Sequence, residues 1–168
     1  MADSDSLTPR PPVSPEFLPN GLRNDPPLPP NDPTIGFKLN HLMLRIRDPV
    51  RSLHFYINLM SMRTVFTANA GPFTIYYLGY PQTDVHRADP VAYGQDTLPE
   101  LPHTFGLIEL YHVHGSENEP EGYYSSGNDP PNLRFGHLGF TVPDVRCCTS
   151  TSQEPWCRGH QGVRRVES

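Results

Sequence analysis

The sequence predicts an α+β domain: one complete β-α-β-β-β unit followed by the first strand of a second. Three observations carry that reading. Residues 38–46 alternate in polarity with a two-residue period, a capped amphipathic helix follows at once, and strand-like runs recur at 63–67, 73–78, 106–112 and 135–142. In the first strand, KLNHLMLRI, Leu39, His41, Met43 and Arg45 share one face, and Asn40, Leu42, Leu44 and Ile46 share the other. Asp48 suits a helix N-cap and Pro49 the first helical position. Leu53, Tyr56, Ile57 and Met60 then recur at i, i+3, i+4 and i+7, a stripe that packs on a sheet. The runs RTVFT and FTIYYL read as two strands joined by a turn at Ala70-Gly71-Pro72.

Residues 79–104, with Pro81, Pro90, Pro99 and Pro102, read as a long polar loop. GLIELYH (106–112) resumes the strands, with Leu107, Glu109 and Tyr111 on one face. After a second polar loop at 114–132, FGHLGFTV (135–142) reads as a strand that places His137 with Phe135, Gly139 and Thr141. Pro143-Asp144 resembles another helix start, yet residues 147–168 carry neither helical nor strand periodicity. Ten of the 21 prolines precede Gly36, and such a segment cannot offset its ordering entropy by burial. The expected organisation is a disordered, Pro-rich leader at 1–35, a folded domain at 36–145 and a disordered tail at 146–168.

The formal charge of −5 argues against a general nucleic-acid binder. No apolar run is long enough for a membrane span, and no signal or transit peptide pattern is present. Cys147, Cys148 and Cys157 cluster near one end, which is neither a disulfide framework nor a zinc motif. A soluble cytoplasmic protein is the expectation.

Three polar residues sit mid-strand among apolar neighbours: His41, Glu109 and His137. A buried carboxylate is costly unless it is paired or bound to a metal, so Glu109 is the most informative of them. Taken singly, Glu109 also fits a solvent-facing position on a one-sided sheet, and His41 an ordinary core or surface histidine. His137 stands near two glycines, Gly136 and Gly139, and strand glycines mark close approach by a ligand or another backbone. Together the three suit Zn²⁺, Ni²⁺ or Fe²⁺. Arg45 lies on the His41 face, roughly 13 Å along an extended strand. It is either a surface arginine or a grip for the carboxylate of an extended substrate.

Three segments, in order, resemble the glyoxalase I (lactoylglutathione lyase) family: HLMLRIRDPVRSLHFYINLMSM, GLIELYHVHGSE and RFGHLGFTVPDV. The resemblance covers about residues 37–145. It implies the vicinal oxygen chelate fold of paired βαβββ modules, with sites completed between modules and a homodimer as the expected assembly. It further implies metal ligands at His41, Glu109 and His137, a catalytic role for Glu109 as ligand and base, and glutathione contacts at Arg45 and Arg134. The implied metal is Zn²⁺, with Ni²⁺ or Co²⁺ as alternatives. The implied reaction isomerises the hemithioacetal of glutathione and methylglyoxal to S-lactoylglutathione. Departures are specific. Val113 stands where the family has a glutathione-contacting asparagine, and Leu133 stands where it has an arginine, with Arg134 shifted by one. Nothing after Val145 matches the strand that carries the fourth ligand, a glutamate that is also the principal base. An incomplete second module leaves apolar faces uncovered, so low stability is expected. An extradiol-dioxygenase-like iron enzyme of the same fold and a non-catalytic binder of metal or glutathione conjugates are the alternatives.

Overall fold

A computed structural model describes residues 27–142 of the chain. Most of the expected leader, all of the expected tail and the Pro143-Asp144 helix start lie outside the described residues. The expected β-α-β-β-β unit is present. Strand β1 (His41–Ile46) leads to helix α1 (Pro49–Leu53), which continues as π-helical turns over His54–Leu59. Asp48 accepts from the N–H groups of Val50 and Arg51 at 2.9 and 3.2 Å, so the cap read from the sequence is made. Strands β2 (Arg63–Asn69) and β3 (Phe73–Gly79) form a hairpin whose turn uses Gly71 at φ +93°. Strand β4 (Leu107–Val113) completes one four-stranded sheet of order β1-β4-β3-β2. β1 runs parallel to β4, and the other pairs are antiparallel.

The alternation in β1 and β4 separates two faces as expected. Ile46, Leu78, Ile108 and Leu110 bury one face with Met62, and Leu53, Tyr56, Ile57 and Met60 of the α1 stripe pack over it. Met62, Leu78 and Leu110 are the largest fully buried side chains. The opposite face, which carries His41 and Glu109, is open except near Leu107, where Val65 and Tyr93 join a smaller cluster.

Two expectations are corrected. Residues 79–104 are not a plain loop: they hold α2 (Asp84–Ala88), α3 (Pro90–Thr97) and a 3₁₀ turn at Leu101–His103. Thr83 caps α2 through the His86 N–H, and Asp89 caps α3 through Val91 and Ala92. The Asp89-Pro90 pair repeats the Asp48-Pro49 cap, so the proline there starts a helix rather than preventing one. The run 135–142 is not a strand, although its residues alternate. A strand needs a ladder partner, and among the described residues none pairs with it. Leu138 instead packs against the α1-side core, and Phe140 meets Tyr80 edge-on with ring centroids 6.4 Å apart.

Candidate functional site

Parallel pairing sets His41 opposite Leu107 and Met43 opposite Glu109, while β3 places Tyr77 directly across from Glu109. Residues two apart share a face, so His41, Glu109 and Tyr77 converge on the open side of the sheet. His41 Nε2 lies 3.3 Å from Glu109 Oε2, and the Tyr77 hydroxyl lies 2.9 Å from His41 Nε2. The Glu109 side chain is 15% exposed and that of His41 35%, so both are partly withdrawn from water yet reachable. Tyr77 stacks on Phe66 (4.5 Å between centroids, 19° between planes) and leans on the His41 ring at 5.0 Å. Its phenol is pushed up to about 12, first by burial and then by its hydrogen bond to Glu109 and that carboxylate's charge. The hydroxyl therefore stays protonated and donates.

On its other side the His41 ring meets Asn40, whose Oδ1 is 2.8 Å from Nδ1. The Asn40 amide nitrogen donates to the backbone carbonyls of Leu101 and Thr104 at 2.5 and 2.9 Å. Further along the face, the Arg45 guanidinium sits 5.6 Å from the Tyr111 ring centroid, and Tyr111 stacks on Phe73 at 4.4 Å.

The donor chemistry at this point suits a divalent cation. An imidazole nitrogen and a carboxylate oxygen stand side by side with the Tyr77 hydroxyl against them, and both are donor types that bind divalent cations. Two donors bound to one tetrahedral ion at ~2.1 Å lie ~3.4 Å apart. The observed 3.3 Å separation is close to that spacing and is equally the contact of a directly paired histidine and carboxylate. Among the described residues no group of three His, Cys, Asp or Glu side chains comes together. His41 and Glu109 are brought together. His137 is not with them, and it lies exposed on the unpaired 135–142 run. Arg45 shares the face but points to Tyr111 and solvent. Arg134 is exposed, with its backbone N–H donating to the Gly127 carbonyl at 2.8 Å. Without a strand there, the one-residue shift at Arg134 carries no face assignment. Sequence reasoning missed Asn40 and Tyr77. The period-two pattern of Phe73, Ile75 and Tyr77 puts Tyr77 on the right face, but only the β3–β4 register sets it opposite Glu109.

No family model matches the chain. It is 32% identical over 117 residues to a protein of Saccharomyces cerevisiae named glyoxalase I, which covers 68% of this chain and 33% of the relative. It is 35% identical over 117 residues to a lactoylglutathione lyase of Pseudomonas aeruginosa, covering 67% of this chain and 61% of the relative. A lactoylglutathione lyase of Schizosaccharomyces pombe is 34% identical over 117 residues, 68% of this chain and 33% of the relative. The chain thus spans between one third and just over three fifths of the length of the curated relatives it matches. No helix among the described residues is long and apolar enough to cross a membrane. The mixed α+β unit with its four-stranded sheet is consistent with the vicinal oxygen chelate fold of these relatives. Over about two thirds of its own length, the chain is a homologue of glyoxalase I, the lactoylglutathione lyase.

Proposed function

We propose that the open sheet face forms half of a metal-dependent lactoylglutathione lyase site, acting in the cytoplasm on the hemithioacetal of glutathione and methylglyoxal. The observation that carries this reading is the convergence of His41 Nε2 and Glu109 Oε2 to 3.3 Å on a face left open to substrate. His41 and Glu109 would hold Zn²⁺, or Ni²⁺ or Co²⁺ in its place, and His137 would complete the set through a second copy in a homodimer. The ion, when bound, supplies positive charge beside the oxyanion that develops during proton abstraction. Glu109 takes the proton from carbon 1 of the hemithioacetal as the carbon 1–carbon 2 double bond forms and the carbon 2 carbonyl becomes an alkoxide; the carbon 1 hydroxyl passes its proton to that oxygen, and the carboxylate returns the abstracted proton at carbon 2 as the thioester carbonyl forms. Nothing is gained or lost, so S-lactoylglutathione forms by isomerisation alone. Tyr77 borders the site with its hydroxyl 2.9 Å from His41 Nε2, and Arg45 and Arg134 would receive the carboxylates of glutathione.

The test is turnover. The full chain, loaded with Zn²⁺, Ni²⁺ or Co²⁺ and given glutathione with methylglyoxal, should accumulate the thioester product by ultraviolet absorbance. Glu109→Gln should abolish that signal. The half-site geometry gives a second reading some support: the chain binds glutathione conjugates without converting them. Saturable binding of S-hexylglutathione with no product under any of the three metals would favour it.

A further inference from the structure

Asn40 is held from three directions. Its amide nitrogen donates to the carbonyls of Leu101 and Thr104, at 2.5 and 2.9 Å, which uses both N–H bonds. Its own backbone carbonyl accepts from the Leu107 N–H at 3.3 Å where β1 begins to pair with β4. The side-chain carbonyl is left with one direction to face, and there it meets His41 Nδ1 at 2.8 Å. A carbonyl oxygen only accepts, so Nδ1 must carry the proton. In the neutral ring the other nitrogen, Nε2, is then a bare lone pair, and it is the one turned toward Glu109 and Tyr77.

We infer that Asn40 is a positioning residue that fixes His41 in the Nδ1–H tautomer and so presents the Nε2 lone pair to the site. The inference rests on the proposed metal site for its purpose, though not for its geometry. The contacts on the far side oppose one another. A carboxylate facing Nε2 favours a proton there, whereas the Tyr77 hydroxyl, which donates, favours a lone pair. A histidine side chain in water prefers the Nε2–H form, which cannot bind a metal through that nitrogen. The Asn40 bond reverses this preference, and an outer hydrogen-bond acceptor on the remote nitrogen both orients a ligating ring and raises its basicity. Asn40 is itself anchored to the 3₁₀ turn at Leu101–His103 and to Thr104, so the segment after α3 sets the orientation of the ring on β1.

The test reads the tautomer directly, on the full metal-free chain labelled with nitrogen-15. Long-range proton–nitrogen correlation is recorded about two units above the ordinary imidazole pKa, with the His41 ring assigned by its loss in His41→Leu. The expected spectrum shows a protonated Nδ1 and an unprotonated Nε2. Asn40→Leu, which keeps the bulk and removes the acceptor, should move His41 to the Nε2–H form and weaken Zn²⁺ binding about 10- to 100-fold. Tyr77→Phe should leave the tautomer unchanged. A wild-type Nε2–H ring overturns the inference even if no variant folds, and so does a tautomer that follows Tyr77 rather than Asn40. If the tautomer follows Asn40 and Zn²⁺ still does not bind, the assignment of Asn40 stands and the metal reading falls.

Discussion

Gly94 lies inside α3, where replacing glycine by alanine ordinarily stabilises a helix by ~1 kcal/mol. At this position the added methyl would lie 2.8 Å from the Val65 carbonyl oxygen and 3.4 Å from that of Thr64. Both are backbone atoms of β2, so the helix can relieve the contact only by moving off the sheet. Overpacking of this kind costs about 1–3 kcal/mol, which exceeds the propensity gain through most of its range. Gly94→Ala should therefore destabilise the fold by about 1 kcal/mol, a fall in Tm of roughly 4–8 °C for a domain of this size. Thermal unfolding followed by circular dichroism measures it, with exposed Gln95→Ala as the control, expected to stay within about 0.5 kcal/mol of wild type. The change should reach the site, because α3 carries buried Tyr93, which packs with Leu107 and Val65 next to Tyr77 and Phe66. A rise in Tm on Gly94→Ala would refute the close docking of α3 on β2.

Other outcomes follow from the same packing and charge arrangement. Leu110 is fully buried between sheet and helix, so Leu110→Ala should cost about 2–5 kcal/mol, read as a lowered urea midpoint with an unchanged slope. Tyr77 keeps its proton to about 12 in the fold against about 10 when unfolded, so the native state binds more protons between those values. Stability should accordingly fall as pH rises through that interval. Tyr77→Phe should make the fall shallower without removing it, since burial also raises Tyr56, Tyr80 and Tyr93. Glu117 is held below the usual carboxylate range by its own backbone N–H and by His112, and its contribution is lost as pH falls through that range. Glu117→Gln should flatten the acid limb of a stability–pH profile, and an unchanged limb would show that the hydrogen bonds to this carboxylate contribute nothing.

Much of the architecture was legible because it depends on local chemistry. The β1 alternation sorts Ile46 inward and His41 outward, and Asp48-Pro49 starts α1 by a hydrogen bond that the sequence itself supplies. The same logic at Asp89-Pro90 was obscured by the surrounding prolines and polar residues, although the cap signal there is equally strong. The run 135–142 failed for a different reason. FGHLGFTV has strand periodicity, but a strand also requires a neighbour, and no local pattern reports whether one is present. The site divides in the same way. His41 and Glu109 stand out as polar residues within apolar strands, whereas the parts played by Asn40 and Tyr77 arise from contacts 61 and 36 residues away in sequence, which no spacing rule anticipates.

Whether His41 and Glu109 share one divalent cation is tested most directly by Co²⁺ binding to the full chain, followed by its visible absorbance. The proposed site should give a saturable cobalt spectrum that Zn²⁺ displaces and that both His41→Leu and Glu109→Gln remove while the fold, checked by circular dichroism, persists. Binding that survives both substitutions, or a wild-type chain that takes up no Co²⁺, would contradict it.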